Sequence, residues 1–312
     1  MTKILWAGAD KTTDKFLPPL RTALRTVLPN AQLIVGKHQP KEIEYLVYAP
    51  NGPVQDFKEY TSLKLIQSIW AGVDVILSNP DFPKIPLARM ADTGMAEGMS
   101  DYILGQVLRH HLSTDRFTAM QPGQWFNTET PILARNRKVA ILGLGNLGQF
   151  CGKRIATQGF KVLGWSRSQK TINGIDCYAG QDGFNAILSE ADIFVLLLPN
   201  TTDTENTINR DAIARMKKGA SIINAGRGEA IDDKALIDAL ETGHLSQATL
   251  DVFRTEPLPK DHPFWSTPNL LITPHVAAET RFETACDFTA ENIRRGETGE
   301  PFLALVDRNL GY

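Results

Sequence analysis

Three side chains of chemically useful type each follow an apolar run late in the chain. Arg227 follows Ala220–Asn224 in INAGRGEAID, Glu256 follows Ala248–Val252 in LDVFRTEPLP, and His275 follows Leu270–Thr273 in ITPHVAAET. Imidazole exchanges protons near neutral pH, so His275 can deliver one to an oxygen that gains negative charge. A carboxylate on the other ring nitrogen fixes the tautomer and favours the imidazolium, a role that suits Glu256. A guanidinium fork grips a carboxylate and polarises a neighbouring carbonyl, which suits Arg227. Together the three types fit reduction of a ketone, where an arriving hydride creates an alkoxide in need of a proton. Singly each is ordinary: a histidine beside a proline, an arginine in a Gly-Arg-Gly turn, a glutamate before proline. Their joint position at strand ends, which line the ligand crevice of a doubly wound sheet, is what gives them weight.

A glycine-rich turn lies upstream. Lys138–Leu142 (KVAIL) has the apolar character of a buried strand and runs into Gly143-Leu144-Gly145-Asn146-Leu147-Gly148, after which Phe150, Ile155 and Ala156 keep helical spacing. Gly143 permits a tight turn, Gly145 lets backbone approach a pyrophosphate, and Gly148 lets the helix pack close to the sheet. The start of that helix presents unpaired N–H groups to an anion. Such a motif also occurs as a plain structural turn. The strand before it, the helix after it and a second strand at Lys161–Trp165 favour a dinucleotide.

An acid about twenty residues further on would bind the ribose 2′-hydroxyl of NAD. The segment there reads Gly164-Trp165-Ser166-Arg167-Ser168-Gln169-Lys170, without an acid. Ser166 and Ser168 can hydrogen-bond a 2′-phosphate, and Arg167 and Lys170 can pair with it, so NADPH is expected over NADH. The other reading of this segment is an exposed basic turn.

The elements that must position these groups alternate between strand and helix almost throughout, as parallel α/β sheets require. Early strands are expected at Ile4–Ala7, Gln32–Val35, Tyr45–Tyr48 and Leu65–Trp70, with Leu17, Leu20, Leu24 and Val27 at helical spacing between the first two. Glu97–His111 reads as a long helix, and residues 121–136 form a Gly/Pro/polar stretch without a period. A second series follows at Lys138–Leu142, Lys161–Trp165, Ile193–Leu198, Ala220–Asn224, Ala248–Val252 and Leu270–Thr273. A last helix, about Glu279 to Arg295, has no strand series of its own and is expected to return to the first unit. The chain thus reads as two α/β domains with parallel sheets, one of residues 1–97 plus 281–312 and one of residues 98–280.

With 312 residues, 42% of them apolar and 22% charged, the chain can bury two cores. Its 33 basic and 35 acidic residues give a net charge of −2, with no cationic field for nucleic acid or an anionic membrane. No apolar run approaches the roughly twenty residues of a membrane span, and MTKILWAGADK reads as a first strand rather than a signal peptide. Cys151, Cys177 and Cys286 are scattered without a CxxC pair, so neither disulfide nor zinc site is expected and a reducing cytoplasm fits. His110 and His111 lack ligand partners at metal spacing and are expected in a solvated or interface role. Trp125 and Phe126 could reach a neighbouring subunit's active site but are expected rather to pack an arm, and Cys151 to pack a helix. No metal is expected.

LGLGNLG, LLLPNTTDTENTI, the long stretch from Ile223 to Pro259 and ITPHVAA resemble the D-isomer-specific 2-hydroxy acid dehydrogenases, and within them the bacterial glyoxylate/hydroxypyruvate reductase A group. The resemblance covers nearly the whole chain. It implies a Rossmann cofactor domain inserted into a discontinuous flavodoxin-like substrate domain, both doubly wound. By the same resemblance His275 is the proton donor, Glu256 its carboxylate partner, Arg227 the substrate-binding arginine, and Asp251 the aspartate near the nicotinamide carboxamide. Leu198, Pro199 and Thr204 match the loop along the cofactor, and Ala225, Gly226 and Ala277 fall in matched segments beside it. Ala71-Gly72-Val73-Asp74 resembles the turn whose N–H groups hold the substrate carboxylate, with Trp70 where many relatives have a small residue. The implied reaction is NADPH-dependent reduction of glyoxylate to glycolate or hydroxypyruvate to glycerate, in a homodimer built through the cofactor domain and Glu97–Asn136. Alternatives are another 2-oxo acid (pyruvate, a branched-chain oxo acid or phosphohydroxypyruvate) or a non-catalytic NAD(H)-sensing protein like the corepressors that share this fold.

Overall fold

The computed structural model describes residues 1–119, 130 and 132–311; Trp125 and Phe126 lie outside the described residues. The chain divides into two compact units, Met1–Met95 with Thr280–Tyr312, and Ala96–Glu279.

The smaller unit begins β1 (Lys3–Ala7), α1 (Asp10–Val27), β2 (Gln32–Ile34), β3 (Tyr45–Tyr48), β4 (Leu65–Ser68), α2 (Asp74–Leu77) and β5 (Leu87–Ala88). All its strand pairs are parallel, in the order β2-β1-β3-β4-β5, which is the flavodoxin-like winding. Strands covered on both faces read as continuous apolar runs, and β3 (YLVY) is buried at every position. The buried stripe of α1 is Phe16, Leu20, Ala23 and Leu24, at helical spacing.

The larger unit takes in most of α3 (Thr93–Leu112), then α4 (Thr114–Ala119), β6 (Lys138–Leu142), α5 (Asn146–Thr157), β7 (Lys161–Ser166), β8 (Asp176–Ala179), α6 (Gly180–Glu190) and β9 (Ile193–Leu196). It continues with α7 (Arg210–Arg215), β10 (Ala220–Asn224), α8 (Asp233–Glu241), β11 (Leu245–Leu250) and β12 (Leu270–Ile272). The seven parallel strands run β12-β11-β10-β9-β6-β7-β8, the dinucleotide-fold order with one added edge strand. The order reverses between β6 and β9, which creates the crevice where such sheets take ligands. Alternate residues of β6 enter different cores: Ala140 and Leu142 on one face, Val139 and Ile141 on the other. Helices therefore cover both faces.

The final helix, α9 (Phe282–Thr298), belongs to the smaller unit and packs on α1, with Phe282 edge-on to Phe16 at 5.1 Å. Two expectations need correcting. β11 runs from Leu245, so its strand starts three residues before Ala248 and ends at Leu250. His110 and His111 are not solvated: both are buried, His110 against the Thr249 hydroxyl and His111 edge-on to Phe160. Cys151 is buried within α5, and burial pushes its thiol up to about 12.

Candidate active site

The glycine loop bridges β6 and α5 at the reversal point. Gly143 has φ 108, a left-handed conformation that a side chain resists, and a Cβ there would sit 2.5 Å from the Leu197 carbonyl oxygen. A Cβ on Gly148 would lie 1.8 Å from the Gly143 oxygen, so the close helix–strand contact depends on glycine. Gly145 differs. It is exposed, nothing lies within 4 Å of a Cβ built there, and as the residue before α5 it supplies no side-chain cap. Asn146 is likewise exposed and Leu147 half-buried. Open space over uncapped helix-terminal N–H groups fits a dinucleotide's pyrophosphate.

At the end of β7, Ser166 Oγ donates to the Ser168 carbonyl at 2.8 Å, and Arg167 and Ser168 are exposed. Lys170 Nζ turns back to donate to the Leu144 carbonyl at 2.6 Å, so it ties this turn to the glycine loop. Beyond β9, Leu198 is buried, and Thr204 closes the loop by donating to the Pro199 carbonyl at 2.6 Å while accepting from the Thr201 N–H at 2.9 Å.

Beyond β10, Ala225 and Gly226 are buried and Arg227 half-buried. Asn224 holds this turn from both sides: its Oδ1 accepts from the Gly226 N–H at 3.1 Å, and its Nδ2 donates to the Arg227 carbonyl at 2.8 Å. Asparagine favours such local bonds in turns, yet the residue was not singled out from sequence. One Arg227 guanidinium nitrogen donates to the Gly226 carbonyl at 2.8 Å.

The structure brings Glu256 and His275 together. His275 Nδ1 donates to Glu256 Oε2 at 2.7 Å, and Glu256 Oε1 accepts from the Phe253 N–H at 2.9 Å, so the carboxylate is anchored before it meets the ring. The imidazole is half exposed. His275 takes the left-handed conformation at φ 55, with its N–H bonded to the Asp251 carbonyl at 2.9 Å. The Asp251 side chain is wholly buried; its two oxygens accept from the Val276 and Ala277 N–H groups, each at 2.9 Å. Tyr102 and Thr273 extend this arrangement and were not legible as site residues.

In the smaller unit, β4 ends in a turn where the Trp70 N–H donates to Ser68 Oγ at 3.0 Å and the Trp70 carbonyl accepts from the Met90 N–H at 2.9 Å. Among the described residues, the N–H groups of Ala71, Gly72 and Val73 bond no protein acceptor. Trp70 is exposed and Val73 buried. Also among the described residues, no cluster of His, Cys, Asp and Glu could hold a metal, and no helix is long and apolar enough to cross a membrane.

A glycine loop at the reversal point of a seven-stranded parallel sheet, with an anchored carboxylate–imidazole pair beyond β11 and β12, is the build of an NAD(P)-dependent oxidoreductase. Residues 103–277 match the family described as D-isomer specific 2-hydroxyacid dehydrogenase, NAD binding domain. The chain is 38% identical over 294 residues to glyoxylate/hydroxypyruvate reductase A of Serratia proteamaculans, covering 91% of this chain and 93% of that protein. Among solved structures it resembles a D-isomer specific 2-hydroxyacid dehydrogenase from Xanthobacter autotrophicus in complex with NADPH and MES, at 34% identity and TM-score 0.92, covering 100% and 99% of the two chains. It also resembles an NADPH-dependent glyoxylate/hydroxypyruvate reductase from Sinorhizobium meliloti in complex with NADP and sulfate, at 32% identity and TM-score 0.87, covering both chains in full. The chain belongs to the D-isomer-specific 2-hydroxyacid dehydrogenase family.

Proposed function

We propose that this protein reduces a small 2-oxo acid, glyoxylate or hydroxypyruvate, to its 2-hydroxy acid with NADPH, and that His275 is the proton donor. The observation that carries this reading is the 2.7 Å bond from His275 Nδ1 to an anchored Glu256. That bond fixes the tautomer and leaves Nε2 of a half-exposed ring to carry the transferable proton. When bound, the reduced nicotinamide supplies the hydride for the carbonyl carbon. The carbonyl oxygen takes the proton from His275, and the imidazole left behind is reprotonated from solvent. Arg227 is assigned the substrate's carboxylate, with its guanidinium charge also polarising the carbonyl. By resemblance to the family, Trp70 and the N–H groups of Ala71, Gly72 and Val73 are assigned to substrate binding.

The larger unit is the cofactor domain in this reading, residues 98–280, and residues 1–97 plus 281–312 are the substrate domain. Gly143, Gly145, Asn146, Leu147 and Gly148 are assigned the pyrophosphate. Leu198, Pro199, Thr204, Ala225, Gly226, Asp251 and Ala277 are assigned to the nicotinamide half. Ser166, Arg167, Ser168 and Lys170 are assigned the 2′-phosphate, supported by the lack of any acid from Gly164 to Lys170. A cytoplasmic homodimer is the proposed setting; exposed apolar side chains such as Leu112 at the end of α3 and Phe117 on α4 support a partner surface there.

Initial rates over a panel of 2-oxo acids with NADPH and NADH test the reading. Expected are turnover of glyoxylate and hydroxypyruvate and a kcat/KM at least about tenfold higher with NADPH. Absence of turnover with both acids contradicts the function, and a preference for NADH contradicts the role of the 166–170 turn.

A further inference from the structure

One face of α3 meets one face of β11 along a buried polar seam. Gln247, Thr249 and Asp251 alternate along the strand and its exit, so they share a face, and all three are buried. The His110 carbonyl accepts from Gln247 Nε2 at 3.1 Å. His110 Nε2 and an Arg109 guanidinium nitrogen meet Thr249 Oγ1 at 2.9 and 3.0 Å. Nearer the start of α3, on the same face, Tyr102 carries the seam on to the turn that bears His275.

The direction of its hydrogen bonds follows from counting hydrogens. The Tyr102 hydroxyl lies 2.7 Å from Thr273 Oγ1, and Thr273 Oγ1 donates to Asp251 Oδ1 at 2.5 Å. A threonine hydroxyl has a single hydrogen, so Thr273 accepts from Tyr102. Asp251 then gathers the Val276 and Ala277 N–H groups with its carboxylate and the His275 N–H with its backbone carbonyl. These bonds hold His275 at φ 55, a conformation that a non-glycine residue keeps only when its surroundings over-determine it. Charged groups facing the relay are Asp251 beyond β11 and Arg109 on α3. Burial, the largest cause, pushes the Tyr102 phenol up to about 12, so it keeps its proton at neutral pH.

We infer that Tyr102 is a positioning residue that holds the His275 turn in its working conformation through Thr273 and Asp251. Its importance for turnover rests on His275 being the proton donor; the tether itself does not. Tyr102→Phe keeps the ring and removes only the donor. In the cofactor-free protein, amide hydrogen exchange at Val276 and Ala277 is expected to quicken about tenfold, while β6 amides stay protected. In steady state kcat is expected to fall about tenfold with KM within about twofold. Thr273→Ser keeps the relay and wild-type behaviour. Thr273→Val reproduces Tyr102→Phe, and the double variant loses nothing further.

Unchanged exchange at Val276 and Ala277 in Tyr102→Phe overturns the tether whatever the enzyme's substrate. Faster exchange with unmoved kcat overturns its role in positioning His275. If His275→Ala instead turns over normally, the proton-donor assignment is what fails, and the exchange result alone decides for or against the tether.

Discussion

Arg227 is held by what precedes it: Asn224 bonds both the Gly226 N–H and the Arg227 carbonyl, so the guanidinium leaves β10 from a fixed turn. Replacing Arg227 with alanine leaves that backbone turn in place and removes the fork. Arg227→Ala is therefore expected to lower kcat/KM for the 2-oxo acid by about a hundredfold or more, with NADPH affinity within about twofold. Unchanged substrate kinetics would remove Arg227 from the substrate's carboxylate. At this scale the sequence is readable where a residue's chemistry is set by its immediate neighbours. Arg227, Glu256 and His275 each stand in a short segment beyond a strand, and the type of each side chain announces what it can do. Tyr102 stands in an ordinary helix, and its partner Thr273 is 171 residues away, so nothing local marks either residue. Lys170 shows the same limit: its charge is legible, but its bond to the Leu144 carbonyl depends on how two loops meet.

The glycines of the β6–α5 loop separate the needs of the fold from those of a ligand. Gly148 is required by the protein itself, since a Cβ there would sit 1.8 Å from a backbone oxygen. Gly145 has no such constraint: it lies in an extended conformation with open space around a Cβ. Gly145→Ala is expected to leave the Tm of the cofactor-free protein within about 2 °C of wild type while weakening NADPH binding about tenfold or more, roughly 1.4 kcal/mol. Gly148→Ala is expected to lower the Tm itself. If Gly145→Ala bound NADPH normally in a titration of protein fluorescence, the loop would not approach the pyrophosphate. Strong apolar strands other than β11, which starts three residues early, were legible to within a residue or two, and β3, β6 and β10 were legible residue for residue. The edge strand β8 (DCYA) was not, because a half-exposed edge lacks the continuous apolar run of a central parallel strand. β5 is only two residues long and offers no pattern at all. The β9 strand ends at Leu196, because the apolar residues after it already belong to the loop beside the glycine turn.

Across the whole molecule, buried histidines make stability depend on pH. His110 is buried and its pKa is lowered to about 3, first by burial and then by the Arg109 charge; His111 is lowered in the same direction. Below the ordinary histidine range the unfolded chain takes up a proton that the folded chain refuses, so unfolding is favoured as pH falls. Stability from this source is full above the unfolded pKa of 6.5 and is lost progressively down toward about 3. Between about pH 7.5 and about pH 5 His110 alone is expected to cost about 2 kcal/mol, read as a falling urea midpoint, and His110→Gln to flatten that fall. An equal slope in wild type and variant would contradict it. The two-unit α/β organisation was legible because strand and helix patterns alternate almost without break, and because the last helix has no strands of its own. The buried state of the paired histidines was not, since their partners on β11 and at Phe160 are remote in sequence. The central claim is that an imidazole held by Glu256 protonates the substrate oxygen. The most direct test measures kcat for glyoxylate and NADPH affinity together in His275→Ala: kcat should fall by about 10²- to 10⁴-fold with NADPH affinity unchanged, whereas near-normal turnover in that variant would contradict the account.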